Sequence, residues 1–188
     1  MPSTRDRILD AAEGIVIREG VARLTLADAA AAAGLSKGGV LYHFGTRDAL
    51  VSAMVDRLVA AFDADLAEEC AADPDPRADG RYTRSYVRAT VRAPRTVAEI
   101  RRERAGAAIL AAMAAEPELL APLRTAFERW QARLAEDGID PVRATVARLA
   151  ADGLWLSELF GFAPLDDSLR GQVATFLESL TEVADVRR

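Results

Sequence analysis

Residues 25–47, TLADAAAAAGLSKGGVLYHFGTR, pack three helix-start residues and a glycine corner into one short stretch, so this part of the chain is restricted to brief helices in close succession. Thr25 carries a hydroxyl that accepts from backbone N–H groups one turn on, and Asp28 stands where the reciprocal half of a capping box belongs. The helix begun there has a small-residue face, Leu26, Ala29, Ala30 and Ala33, suited to close approach of a partner helix. Gly34 supplies the positive-φ corner that ends it. Ser36 caps the next helix, from Lys37 to Phe44, and Thr46 begins a third. In the middle helix Val40 and Phe44, four apart, face inward, which leaves Lys37, Leu41, Tyr42 and His43 wholly or partly outward.

A plain helical hairpin inside a core has the same spacing, but it would not leave lysine, tyrosine and histidine together on a helix of about two turns. The order Ala30, Gly34, Val40 matches a helix-turn-helix: a small residue where the helices touch, glycine at the turn, a branched residue anchoring the second helix. With these residues in place, the stretch TLADAAAAAGLSKGGVLYHFGTRDAL resembles the tetracycline-repressor (TetR) family of bacterial transcription regulators. That family's pattern, G-(V/L)-S-x-G-x-(L/I)-Y-x-H/Y-F followed by a basic and an acidic residue, stands here nearly whole. Over the rest of the chain the resemblance extends only as a helical layout of similar length.

Composition agrees with a helical body. A hydrophobic share of 51% with only 6% aromatics favours Ala/Leu-rich helices, and 188 residues suffice for one core or for a small module fused to a larger one. No run of about 18 apolar residues offers a membrane span, and MPSTRDRILDAAEG begins an amphipathic helix without an apolar signal core, so a cytoplasmic protein with no membrane partner is expected. Cys70 is alone and His43 is the single histidine, which leaves no intrachain disulfide and no Cys/His cluster; neither metal nor cofactor is expected. No second histidine pairs with Cys70 or a serine, and no glycine-rich phosphate loop or paired-carboxylate spacing stands out, so the expectation is not an enzyme. The alternative is a small helical ligand-binding or enzyme-like protein whose helix-turn-helix is only structural.

A net charge of −5 argues at first against nucleic acid, whose affinity rests on cations meeting phosphates. Its distribution softens the objection: residues 1–48 hold six basic and six acidic side chains, whereas the other 18 basic and 23 acidic ones make the body acidic. A neutral module still grips DNA where its few cations, helix N-termini and hydroxyls converge on phosphates.

The apolar spacing divides the chain into further helices. The first runs over about residues 4–20, with Ile8, Ala12 and Ile15 on one face. The helix from Thr46 carries Leu50, Met54, Leu58 and Phe62 towards Cys70, about 37 Å at 1.5 Å per residue, long enough to join a DNA-reading end to a body and to transmit movement between them. AADPDPRADG, residues 71–80, is expected to be a solvated loop. After a break at Pro94, helices follow from Thr96 and from Pro117, the latter with Leu120, Leu123, Phe127, Trp130 and Leu134 on one face. In residues 141–160 the positions Val142, Val146, Leu149, Gly153, Leu156 and Leu159 recur at threes and fours; in 166–186 Leu169, Val173, Phe176, Leu180 and Val183 do the same.

The overall expectation is therefore an all-α fold, an N-terminal helix-turn-helix three-helix module (1–46) joined by a long helix to a helical ligand-binding and dimerisation body (47–188). The resemblance implies that Thr25, Ser36, Tyr42, His43 and Arg47 hold phosphates of a double-stranded operator while Lys37, Gly38, Gly39 and Leu41 face base edges. The chemistry fits: lysine donates to guanine, leucine touches a thymine methyl, and glycines let the backbone come close. His43 as a satisfied helix-end residue and Leu41 as a core residue remain alternatives. The resemblance also implies a homodimer built on the last two helices, with Val146, Leu149, Leu156, Val173, Phe176 and Leu180 at its interface, two reading helices about 34–36 Å apart and a roughly palindromic operator. A small apolar effector is expected among Leu110, Met113, Phe127, Trp130 and Trp155, residues that would equally serve as ordinary core. Such a ligand acts by binding the DNA-competent and DNA-incompetent shapes unequally, which makes the expected protein a repressor released by its ligand.

Overall fold

Every regular element in the computed structural model is helical among the residues it describes, 2–94, 96–113 and 117–182. In chain order the helices are α1 (Thr4–Glu19), α2 (Leu26–Ala33), α3 (Lys37–His43), α4 (Arg47–Ala72), α5 (Arg81–Val91), α6 (Val97–Met113), α7 (Ala121–Ala135), α8 (Pro141–Phe160) and α9 (Asp167–Ser179), with 3-10 turns at Val21–Arg23 and Pro117–Leu120. No helix among the described residues is long and apolar enough to cross a membrane.

The chain divides into two compact units: Met1–Ala60 with Pro94–Thr125, and Ala61–Ala93 with Ala126–Arg188. The division falls inside α4 and inside α7.

In the first unit, helix starts follow local capping chemistry. Ser3 and Asp6 form a full reciprocal box at α1, a signal the sequence carries and the reading above passes over. Thr25 Oγ1 accepts from the Asp28 N–H at 3.1 Å while its hydroxyl donates to the Asp28 carboxylate at 2.6 Å. Ser36 Oγ accepts from Gly39 N–H at 3.1 Å, and Thr46 Oγ1 from Ala49 N–H at 3.0 Å. Gly34 ends α2 in the left-handed region, φ 66°, which a side chain enters only with strain, and Leu35 N–H then closes back on the Ala30 carbonyl. The core below is apolar and, Phe44 apart, without aromatic rings: Ile8, Leu9, Ala12 and Val16 of α1, Ala29 and Ala30 of α2, Val40 and Phe44 at α3, and Leu50, Val51 and Met54 of α4. Ile109 of α6 joins it, with Leu119, Leu120 and Leu123 packed on its edge. Side-chain bonds reinforce α1, since Arg57 on α4 bonds Asp10 at 2.8 Å and Glu13 at 2.5 Å.

In the second unit, α5 packs against α8 and α9. Val87, Val91, Ala147, Ala151, Leu154 and Leu177 form a core flanked by Val173 and Leu180. The start of α5 has no cap of its own, because Gly80 precedes it at φ 72°; Asp137 from the loop after α7 accepts instead from Tyr82 N–H, Thr83 N–H and the Thr83 hydroxyl. Glycine is required at position 80, where an added Cβ would lie 2.2 Å from the Thr181 carbonyl oxygen.

Two expectations change here. The 71–80 loop is not simply solvated: α4 runs on to Ala72, and Asp73 is buried, accepting from Arg84 at 2.9 Å and facing Arg88. Of the aspartates in this segment Asp73 alone is drawn inside, because its charge is met there, while the proline-containing stretch after it stays exposed. The final helix ends at Ser179, and 180–182 form a turn within the stretch over which the apolar stripe continues. Ser179 and Thr181 donate their hydroxyls back to the Phe176 and Glu178 carbonyls, occupying acceptors that a further turn would use. Val183 of the expected stripe lies outside the described residues.

Candidate functional site

The outward side of α3 follows from what its inward side must bury. Val40 and Phe44 are sealed in the first unit's core, so the positions around them turn out: Lys37, Gly38 and His43 are exposed, Leu41 is 42% and Tyr42 87% exposed. A tyrosine this bare, in edge contact with His43 at 5.3 Å between ring centroids, is not packed within its own protomer. Leu41 is likewise outside, which removes its reading as a core residue.

Residues distant in sequence brace this helix. Arg5 lies over the Phe44 ring, 5.3 Å from its centroid, and Arg7 donates to the Ala33 carbonyl at 2.8 Å, taking up an end of α2 beside the turn. These two arginines escaped the sequence reading, since a cation near a chain terminus gives no local sign of what it stacks on. Thr25 and Ser36 are exposed, with their hydroxyl oxygens already capping helices. Arg47 is half-buried and tied to its own module, donating to the Val21 carbonyl and to Asp48, each at 3.1 Å.

The residues expected around an effector separate between the units. Leu110 packs on the first unit's core; the side chain of Met113 lies outside the described residues. Phe127, Trp130 and Trp155 belong to the second unit. There Trp130 is buried at the centre of a ring cluster, with centroids of Phe62, Phe127 and Tyr86 at 4.8, 5.2 and 6.1 Å. Edge-to-face rings of this kind set positive edges against negative faces. Their polar tips are satisfied by carboxylates: Trp130 Nε1 donates to Asp63 at 2.8 Å, and the Tyr86 hydroxyl to Asp152 at 2.9 Å. Arg129 also bonds Asp63, and Arg148 bonds Asp152 and Gln131. Burial pushes the Tyr82 phenol up to about 12 and the Tyr86 phenol higher still, with Asp152 adding to the latter, so both stay protonated near neutrality. Burial also raises the Asp152 carboxyl against the opposing pull of Tyr86 and Arg148. Phe62, Asp63, Tyr86 and Asp152 were not anticipated, because their partners lie on other helices and share no spacing in sequence.

On α8 the usual surface pattern is reversed. Its charged residues turn to partners within the unit: Arg143 to the Ser179 carbonyl, Arg148 to Gln131 and Asp152, Glu158 to Arg170. Its exposed positions, Val142, Val146, Leu149, Ala150, Gly153, Leu156 and Phe160 after the opening proline, carry no charge. On α9 the exposed positions after Asp167 are also uncharged and include Leu169 and Phe176, the latter 63% exposed. Of the residues expected at a dimer interface, Val146, Leu149, Leu156 and Phe176 stand on this surface, whereas Val173 and Leu180 are half-buried against their own core.

Comparison with known proteins agrees with this arrangement. A family model described as "Bacterial regulatory proteins, tetR family" matches residues 8–54, and one described as "Tetracyclin repressor-like, C-terminal domain" matches residues 80–182. The chain is 46% identical over 55 residues to the HTH-type transcriptional regulator TtgR of Pseudomonas putida, covering 29% of this chain and 26% of TtgR. It is 37% identical over 93 residues to an HTH-type transcriptional repressor of Mycobacterium tuberculosis, covering 47% of this chain and 50% of that protein. The chain thus spans a quarter to a half of the length of the curated relatives it matches. Among solved structures, the multidrug binding protein EbrR complexed with malachite green superposes with a TM-score of 0.68 at 26% identity, covering 97% of this chain and all of that one. Helix-turn-helix, helical body and both family matches together make this chain a member of the TetR family of DNA-binding transcriptional regulators, which are not enzymes.

Proposed function

We propose that the protein is a cytoplasmic homodimeric repressor that holds a roughly palindromic operator until a small apolar ligand releases it. The observation that carries this reading is the uncharged outer surface of α8 and α9 on a chain of net charge −5. Depletion of charge with exposed aliphatic and aromatic residues is the mark of an interface core. Two copies joined there present two α3 helices, and a two-fold protein calls for a two-fold site.

In this reading residues 1–46 grip DNA and 47–188 pair the copies and take the ligand. Lys37 and Leu41 meet base edges, and Gly38 and Gly39 bring backbone close. Thr25, Ser36, Tyr42 and His43 meet phosphates; Arg47, already bonded to Val21 and Asp48, orients the module as much as it touches DNA. The ligand enters around Phe127, Trp130 and Trp155 of the second unit; Leu110 and Met113, expected beside them from the sequence, belong to the first. A flat aromatic molecule suits the ring cluster, as the similarity to a multidrug binding protein complexed with malachite green supports. Ligand and operator then oppose one another through the long α4, each binding its own shape of the dimer.

Selection of random duplex DNA on the purified protein at two salt concentrations tests this directly. A palindrome with half-sites about one turn apart is expected, with affinity falling steeply with salt. A single unpaired half-site, or an operator complex whose affinity is the same with and without a bound aromatic dye such as malachite green, overturns the repressor reading.

A further inference from the structure

Along α8 the exposed residues Val142, Val146, Leu149, Gly153, Leu156 and Phe160 recur at intervals of four, three, four, three and four, a seven-residue repeat with glycine at its middle. A Cβ added at Gly153 meets nothing within 4 Å, so nothing in the protomer's own packing calls for glycine there. Glycine in the interior of a helix is also among the least favourable choices. Its use at the centre of an exposed apolar seam therefore points outward.

We propose that Gly153 is the point at which α8 of one copy crosses α8 of a second copy, and that it fixes the register of the homodimer. The inference rests on the reading of α8 and α9 as the dimer surface. The occupant is a second copy because two chains of net charge −5 repel one another on the whole, and the uncharged α8 and α9 faces let them meet without bringing like charges together. In a two-fold pairing the residue on the axis meets its own counterpart, and two glycines let the helices approach more closely than any other pair. Leu149 and Leu156, about one turn to either side, then pack as ridges around the partner's glycine. A continuous zipper along the seam would instead leave Gly153 as a hole in its central layer.

The test uses the full chain with Cys70→Ser, comparing Gly153→Cys with Val142→Cys, about 16 Å further along the helix. Mild oxidation is followed on non-reducing gels, and sedimentation of the parent protein gives its oligomeric state. A disulfide needs Cα atoms within about 7 Å. A sedimenting dimer that cross-links readily at position 153 and not at 142 is the expected result. A dimer that fails to cross-link at 153, or that cross-links equally at both, overturns the crossing and leaves the dimer standing; a monomer at tens of micromolar overturns both. As a second measurement, Gly153→Leu raises the dimer dissociation constant at least tenfold with unchanged helicity, and an unaltered constant counts against the proposal.

Discussion

The two units bury their interiors by different means. Among the described residues the first seals apolar side chains around α3 and admits Glu13 as its one buried charged or polar residue, met by Arg57. The second buries Asp73, Thr83, Ser85 and Thr181, and ties its aromatic rings to Asp63 and Asp152. Apolar packing is set by shape alone and resists rearrangement, which suits a module whose task is to hold one helix at a fixed attitude. Directional bonds in a low-dielectric interior are strong while complete and open to exchange when another group offers itself. The contrast teaches that rigidity belongs to the reading end and adaptability to the end proposed to take a ligand.

The largest effect expected from this contrast comes from cutting into the first unit's apolar core. Leu9→Ala or Met54→Ala, both at fully buried positions, costs about 2–5 kcal/mol through lost burial and the cavity left behind. Operator binding falls with it. Both tryptophans, Trp130 and Trp155, lie in the second unit, so urea unfolding followed by tryptophan fluorescence reports that unit while far-UV circular dichroism reports the whole chain. The dichroism transition is expected to move further than the fluorescence one. Equal displacement of both would show one cooperative structure and break the distinction between the interiors.

Two carboxylates of the second unit, Asp73 buried and Asp152 half-buried, sharpen it through opposite pH dependences. Asp73 is held below the ordinary carboxylate range, chiefly by the hydrogen bond from Arg84. Folding favours its ionised form, so its contribution is complete above pH about 4 and is lost as pH falls through its lower folded value. Asp152 is shifted upwards by burial, so the native state holds its proton more tightly than the unfolded chain and stability declines as pH rises from about 4 through the folded value. Asp73→Asn is therefore expected to cost about 1–3 kcal/mol at neutral pH and less in acid. Asp152→Asn removes the decline above pH 4. Parallel pH profiles of denaturation midpoints for the two variants would contradict this assignment.

How much of this was legible in the sequence follows the same division. The reading end is made of local signals, a hydroxyl three residues before an N–H or a glycine at a corner, so α2, its turn and α3 could be placed almost to the residue. The second unit depends on bonds such as Asp137 to Thr83 and Asp152 to Tyr86, which join positions more than fifty residues apart and leave no periodic trace. The stripes on α8 and α9 were visible as stripes. Which of their members face out was not, because Val173 and Phe176 share the same apolar character and only the fold decides that one packs inside and the other does not.

Smaller effects belong to the surface of the reading end, where substitutions are expected to change DNA affinity and leave folding within about 0.5 kcal/mol. Lys37→Ala lowers operator affinity by roughly 1–2 kcal/mol, and Tyr42→Phe by about 1 kcal/mol, the scale of one hydrogen bond. Fluorescence anisotropy over a salt series separates them. Removal of the Lys37 charge reduces the salt slope and relaxes sequence preference, whereas loss of the uncharged Tyr42 hydroxyl weakens binding with the slope nearly unchanged. A loss of thermal stability in either variant, with no change in affinity, would move these residues into the structural class occupied by Arg5 and Arg7.

The smallest expected effect is also the most discriminating, because it runs in opposite directions in folding and in binding. At Gly38 an added Cβ would have only the Ser36 hydroxyl near it, at 3.9 Å, an ordinary contact. Gly38→Ala should therefore stabilise α3 by about 0.5–1 kcal/mol, since alanine gives up less backbone entropy on entering a helix. If the α3 backbone is pressed against the operator, the same methyl group stands between the helix and the base edges, and affinity drops while the melting temperature rises. A variant that gains stability and keeps its affinity would show that this face of α3 stays clear of the DNA, leaving recognition to Lys37 and Leu41.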